Sequence, residues 1–215
     1  MSSSQSHTIE HLVLFKLKDT TEPSDAADHK FLNLTNGLIS LDQVLHITAV
    51  PLRRIRSSSA LTFTHILHSR FRSKPDLAAY AVHPAHLRVV RENAALVDDM
   101  LAVDWVAADL TGPTTPPPGS AVRVALLKLG EGSGEERKSE ILEAIRGIKD
   151  ELVGISQFSF GKNFSPERAK GFSIAFLAVF PSATEMESAD SKKEEKLKEL
   201  AESLIVVDYV VPSSE

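Results

Sequence analysis

Eight histidines, His7, His11, His29, His46, His65, His68, His83 and His86, all lie within the first 86 of 215 residues. Imidazole has an ordinary pKa of ~6.5, so it is the side chain best suited to take and return protons near neutral pH. Removing a proton beside a carbonyl needs such a base and a donor that polarises the carbonyl oxygen. A tyrosine hydroxyl can be that donor. The run Tyr80-Ala-Val-His83-Pro84-Ala85-His86 places one tyrosine and two histidines close together in the chain. Tyr80 and His83 are three apart and share a helical face. Pro84 ends that helix and opens the next, because proline is tolerated in a first turn. His86 then falls in the first turn of the new helix.

His11 and His65 sit in the middle of strand-like runs. By alternation His11 shares a face with Val13 and Phe15, and His65 with Phe63 and Leu67. If that face lines a cavity, it brings histidines into an apolar pocket, the usual build of a small-molecule site. Plainer roles stand beside these. His7 lies in a terminus, His29 and His46 fit a surface or loop, and His68 alternates away from His65. His65 could hold a core carbonyl, and His83, before proline, could cap a helix. The spacing of His83 and His86 also resembles metal-ligand spacing, but nothing nearby completes a zinc set.

The elements that must position these groups repeat. His11–Leu17 resembles Arg123–Leu129, a strand in each case. Helical spacing follows at Ala27, Phe31, Leu34 and Leu38, and again at Ile141, Leu142, Ile145, Ile148 and Leu152. Second strands are expected near 42–50 and 155–160, and third strands at Thr64–Phe71 and Ser173–Phe180. Capping boxes Ser73-Lys-Pro-Asp76 and Ser182-Ala-Thr-Glu185 then announce helices. Final strands run over Leu101–Val106 and Leu204–Val211. The pattern β-α-β-β-α-β, twice, predicts an α+β chain of two tandem ferredoxin-like domains. The open face of each antiparallel sheet needs a cover. The third strand of the second lobe is apolar on both faces. The sheets are therefore expected to pair into a barrel with helices outside, as an intrachain pseudo-dimer or in a homodimer. The boundaries are 7–110 and 121–212. Between them the proline-rich segment 111–120 acts as a semi-rigid spacer.

Composition excludes several classes. Apolar residues are 42% and charged residues 25%, a globular balance, and the formal charge of −5 argues against nucleic acid as a partner. The densest basic run, Leu52-Arg53-Arg54-Ile55-Arg56, reads as a solvated loop. The absence of cysteine rules out disulfides, thiol nucleophiles and cysteine zinc sites, and fits a reducing, cytoplasmic setting. No stretch approaches the ~18 apolar residues that span a bilayer, so no membrane association is expected. The first residues do not form a secretory signal, and the last three are not a peroxisomal tripeptide.

The order of elements resembles the plant stress-responsive dimeric α/β-barrel (A/B barrel) family. The matches are Tyr80-Ala-Val-His83-Pro84-Ala85-His86, Glu10-His11-Leu12-Val13-Leu14-Phe15-Lys16, Thr64-His65-Ile66 and Val103-Asp104-Trp105. The resemblance is good over 7–110 and weaker over 120–212. It implies a stress- or defence-related protein. One branch of the family comprises polyketide cyclases of the olivetolic-acid kind, which close a ring by aldol condensation without a cofactor. The matching catalytic positions are Tyr80 and His86. The resemblance also raises magnesium held by main-chain oxygens where the first helix ends, at Asn33-Leu34-Thr35-Asn36. The plainer reading there is an ordinary helix end before Gly37, so no cofactor is expected.

The second lobe lacks these groups. His11 aligns with Arg123 and His65 with Ile174. From Phe71 to Asp104 is 33 positions, against 28 from Phe180 to Asp208, and the deficit falls on the Tyr80–His86 block. Lys192, Lys193, Lys196 and Lys198 alternate with acids as on a solvated face. The first lobe is thus expected to bind a small apolar or phenolic molecule through His11, His65, His83, Phe15 and Phe63. The alternatives are a cyclase using His86 and Tyr80, and a structural or partner-binding module.

Overall fold

The computed structural model describes residues 8–18, 24–107, 110, 112–152, 154–189 and 197–213. His7, Lys192, Lys193 and Lys196 lie outside these residues. Lobe one runs β1 (Ile9–Leu17), α1 (Ser24–Asn36), β2 (Val44–Pro51), β3 (Arg54–Ser57), β4 (His65–Phe71), α2 (Lys74–Val82), α3 (Pro84–Asn93) and β5 (Val97–Val106). Lobe two runs β6 (Ala121–Lys128), α4 (Glu135–Glu151), β7 (Gln157–Lys162), β8 (Phe172–Phe180), α5 (Ala183–Ser188) and β9 (Ser203–Val210). The sheet orders are β2-β4-β1-β5 and β3-β9-β6-β8-β7, with every named pairing antiparallel. Without β3, each lobe is ferredoxin-like.

Both expected capping boxes form. Ser73 accepts from the Asp76 N–H, and Ser182 accepts from the Glu185 N–H. Alternation along the strands divides the core in three. Leu12, Leu14, Ile66, Leu101, Val103 and Trp105 of lobe one meet Val122, Val124, Leu126, Leu177, Val179 and Val207 of lobe two in a core between the sheets. Ile9, Val13, Leu67, Phe71 and Tyr80 pack under the lobe-one helices, and Ala125, Ile141, Ile145, Phe158 and Phe176 under those of lobe two. The barrel lumen is therefore filled by side chains from two sheets of one chain. At the seam between β5 and β7, a Cβ on Gly161 would stand 2.8 Å from the Val106 carbonyl, so only glycine permits that approach.

Two expectations need correction. The arginine-rich run at 52–56 is not a loop. Arg54–Ser57 forms β3, which leaves its own lobe and adds to the edge of β9, pairing Arg54 with Asp208 and Ser57 with Ile205. Its partner edge belongs to the other lobe, so no local pattern announces it. His46 is not on the surface. It is buried beside His68, ring centroids 5.0 Å apart. The spacer is tethered to both lobes, for Arg70 Nη1 donates to the Thr114 carbonyl and Gln157 Nε2 to the Pro113 carbonyl.

Those last bonds belong to a buried polar cluster at one end of the lumen. Arg70 Nε donates to Glu10 at 3.0 Å, and Arg70 Nη1 to Gln157 Oε1 at 2.8 Å. His68 Nε2 lies 2.7 Å from Glu10 Oε2, and its Nδ1 lies 2.7 Å from Tyr209 Oη. A neutral His68 protonated on Nε2 satisfies both contacts. Burial pushes the Glu10 carboxyl up, but Arg70 and His68 outweigh it and hold it at about 2. Burial drives His46 down to about 2 and lowers His68 as well.

Candidate functional site

The cavity lies outside the lumen, between the lobe-one sheet and its helices. Two adjoining chambers meet there. An apolar chamber of about 320 Å³ is walled by Val13 and Phe15 of β1, Phe31 of α1, Leu67 of β4, Val89 of α3 and Met100 of β5. A second, of about 410 Å³, has Lys74, Leu77, Asp104, Phe164 and Ser165 in its walls. His11, Tyr80, His86, Val90 and Arg168 line both.

Pro84 forces the chain to break. His83 takes an extended conformation, φ −65° and ψ 134°, so α2 stops at Val82 and α3 starts at Pro84. The break turns His86 onto Tyr80, ring centroids 4.4 Å apart. It thus faces the cleft under the helices rather than the lumen. His86 Nδ1 donates to the Ala81 carbonyl at 3.0 Å, which leaves a lone pair on Nε2. Burial lowers the His86 pKa against that bond, and the positive groups nearby act in the same direction as burial, so the ring is held neutral. Burial raises the Tyr80 phenol well above its usual range, keeping it a proton donor. Its hydroxyl has no partner among the described residues.

On the floor, His11 of β1 stands opposite Asp104 of β5, and His11 Nδ1 lies 2.5 Å from Asp104 Oδ1. Burial pushes the Asp104 carboxyl up. The hydrogen bond and charge of His11, helped by Ser165 and Arg168, overcome this and keep it below the usual carboxylate range. The pair fixes the His11 ring, which meets Tyr80 edge-on at 6.3 Å. Asn93 donates from Nδ2 to Thr35 Oγ1 at 3.2 Å, while its buried Oδ1 is unpartnered among the described residues. A neutral imidazole, a protonated phenol and an oriented His–Asp pair around one apolar chamber can bind a hydroxyl or carbonyl group and exchange a proton with it.

The structure brings His11, Phe15, Tyr80 and His86 together but leaves three expected residues outside. Phe63 packs in the core between the sheets, because β4 begins at His65 and strand alternation does not reach back to 63. His65 is cut off by Phe31, whose ring is 5.6 Å away, and its Nδ1 lies 2.9 Å from Thr64 Oγ1. Burial lowers the His65 pKa against the pull of Asp28. His83 is a helix cap, accepting the Ala85 N–H on Nδ1. At the end of α1, the Asn36 carboxamide is engaged at both ends with the Ala49 backbone, and Asn33 is exposed. Gly37 O accepts from Ser40, and Leu38 O from the Leu41 N–H. These oxygens are tied to the chain itself.

Sequence reasoning missed Asp104, Asn93 and Arg168 as site residues. For Asp104 a signal existed, an acid inside the apolar run Leu101–Val106 at the register of His11. Arg168 lies on a short turn of lobe two at Pro166–Arg168 and reaches the site only through tertiary packing. Lobe two also holds Asp104 in place. The Asp104 N–H donates to Asn163 Oδ1, and the Phe164 N–H donates to the Asp104 carbonyl.

The Stress responsive A/B Barrel Domain family matches residues 9–107 and 121–211. Two Arabidopsis thaliana stress-response A/B barrel domain-containing proteins are similar along the whole chain. One is 50% identical, over 100% of this chain and 83% of its own length. The other is 42% identical, over 97% of this chain and 99% of its own. Among solved structures, a putative monooxygenase from Fusobacterium nucleatum is similar with a TM-score of 0.63 at 13% identity, covering 96% of this chain and 94% of its own. An anthrone oxidase-like protein is similar with a TM-score of 0.61 at 12% identity, covering 98% and 94%. At these identities the structural likeness speaks for the fold alone. Among the described residues no helix is long and apolar enough to cross a membrane.

Proposed function

This chain belongs to the stress-responsive A/B barrel domain family, and on that footing we propose that it serves the stress response by holding a small apolar or phenolic ligand in the first-lobe cavity. One observation carries the reading. Tyr80 Oη and Asn93 Oδ1 are buried polar atoms, unpartnered among the described residues, on residues that line a mainly apolar chamber. Buried polar groups are nearly always satisfied, and a phenolic hydroxyl can accept from the first or donate to the second. The reading needs no cofactor. Lacking cysteine, the chain has no need of an oxidising compartment, and we place it in the cytoplasm.

A thermal-shift screen of the full chain against alkylphenols and medium-chain acyl compounds tests this. A ligand raises the melting temperature of the wild type by mass action. It leaves Val90→Trp unmoved, because Val90 lines the cavity and is 51% exposed, so a larger side chain there fills the mouth without disturbing the core. A screen in which nothing stabilises the wild type overturns the reading.

The neutral His86 beside a protonated Tyr80 favours a second reading, a cofactor-independent cyclase. His86 Nε2 takes a proton from the carbon beside a carbonyl, and Tyr80 donates to that carbonyl's oxygen. Turnover of a linear polyketide thioester that disappears in both His86→Ala and Tyr80→Phe, with ligand binding kept, supports this reading. Binding without turnover in the wild type excludes it.

A further inference from the structure

The lobe that lacks the histidines places a cation at the histidine site. Arg168 lines both chambers, and no ion pair engages it among the described residues. It stands on an anchored segment. Asn163 and Phe164 bond the Asp104 backbone, Ala169 is fully buried, and the Ala169 N–H donates to the Pro166 carbonyl. In the second chamber the acid, Asp104, is already held by His11. The charges left facing that space are positive, Arg168 and Lys74, the latter over the Phe164 ring at 4.1 Å. Tyr80 adds an unpartnered donor where the chambers meet. The first chamber offers mainly hydrocarbon walls, from Val13, Phe15, Phe31, Leu38, Leu67 and Met100, beside the polar Thr35 and Asn93.

We propose that the ligand class is an amphipathic carboxylic acid, its hydrocarbon body in the apolar chamber and its carboxylate read by Arg168 from lobe two, with Lys74 as a second cation. This rests on the cavity reading above and narrows it. A guanidinium presents a planar pair of donors that match a carboxylate, and the Tyr80 hydroxyl donates to the same group. Arg168 and Lys74 are both exposed, so they stand at the cavity's mouth, where solvent and salt screen the contact. Arg168 is then a specificity-determining residue supplied by the lobe that carries none of the proton-transfer groups.

The test is calorimetric titration of the full chain with sodium octanoate and with 1-octanol, a neutral partner of equal chain length. The wild type binds octanoate more tightly than 1-octanol. Arg168→Gln weakens octanoate by about threefold, the scale of one exposed ion pair, and leaves 1-octanol unchanged. Arg168→Lys, which keeps the charge but loses the fork, falls between. Raising the salt concentration narrows the preference for the acid in the wild type. Octanoate affinity unchanged in Arg168→Gln, or equal losses for acid and alcohol, overturns this proposal and spares the cavity reading. If neither compound binds the wild type, both fall together.

Discussion

His11 faces Asp104 across the β1–β5 ladder, and Arg123 faces Asp208 across the β6–β9 ladder. The backbones match, and both pairs point under the helices of their own lobe. Their surroundings differ. In lobe one the helices stand off the sheet and leave the chambers lined by Tyr80 and His86. In lobe two Ile141, Ile145, Phe158, Phe176 and Met186 close the equivalent space. Arg123 Nε donates to Asp208 at 2.7 Å, and Arg56 of β3 donates to the same carboxylate at 3.0 Å. A permanently charged guanidinium has replaced a titratable imidazole, so the second pair can hold structure but cannot exchange protons near neutral pH. The lobes also trade residues. Lobe one sends Arg56 to the pair in lobe two, and lobe two sends Arg168 to the cavity in lobe one.

The contrast is sharpest in stability. Asp208 is 1% exposed and serves two arginines. Asp208→Asn removes the buried carboxylate that both partly buried guanidinium groups share and costs about 3–5 kcal/mol. Asp104→Asn weakens the side-chain contact with His11 and costs about 1–3 kcal/mol. Urea unfolding of the two variants measures the order. An Asp104→Asn variant as damaged as Asp208→Asn breaks the comparison, making the first pair as structural as the second.

A second effect, also seated in lobe one, depends on pH. Glu10 of β1, His46 of β2, His68 and Arg70 of β4, and Tyr209 of β9 face one another in the lumen. His46 and His68 have folded pKa values below the ordinary ~6.5. As pH falls below ~6.5 the unfolded chain binds these protons and the folded chain does not. Stability is thus full above ~6.5 and declines as pH falls towards the folded values, by about 1.4 kcal/mol per pH unit for each linked group. Glu10 adds the same sign lower down, losing its contribution between the ordinary carboxylate range and about 2. Urea midpoints from pH 7 to 5 decline in the wild type and less steeply in His46→Gln. An equal slope in that variant removes His46 from the account.

Most of the fold was legible because both lobes obey local rules. Alternation, helical spacing and the caps at Ser73 and Ser182 are each written within a few residues. The exceptions share one cause. β3, the burial of His46, the tethered spacer and the reach of Arg168 depend on the other lobe, which local patterns do not see. The site was half legible for the same reason. His11, Phe15, Tyr80 and His86 follow from strand faces and the proline break. Phe63 was misplaced by extending alternation beyond the strand. Asp104 becomes visible only when β5 is laid beside β1.

The mildest test separates two histidines of one motif. His83 and His86 differ by three positions, yet one caps α3 and the other lines the cavity. Removing an N-cap costs about 1 kcal/mol, and asparagine is among the residues that cap well. His83→Ala therefore lowers stability by about that amount, and His83→Asn restores most of it. Neither variant changes the affinity of a cavity ligand. Ser182→Ala, the loss of a cap on α5 of lobe two, produces a similar loss and serves as the reference. Thermal melts with paired titrations give both readouts. If His83→Asn folds as well as the wild type but no longer binds, the imidazole of His83 belongs to the site, and the cavity reaches further along the break than the chambers above.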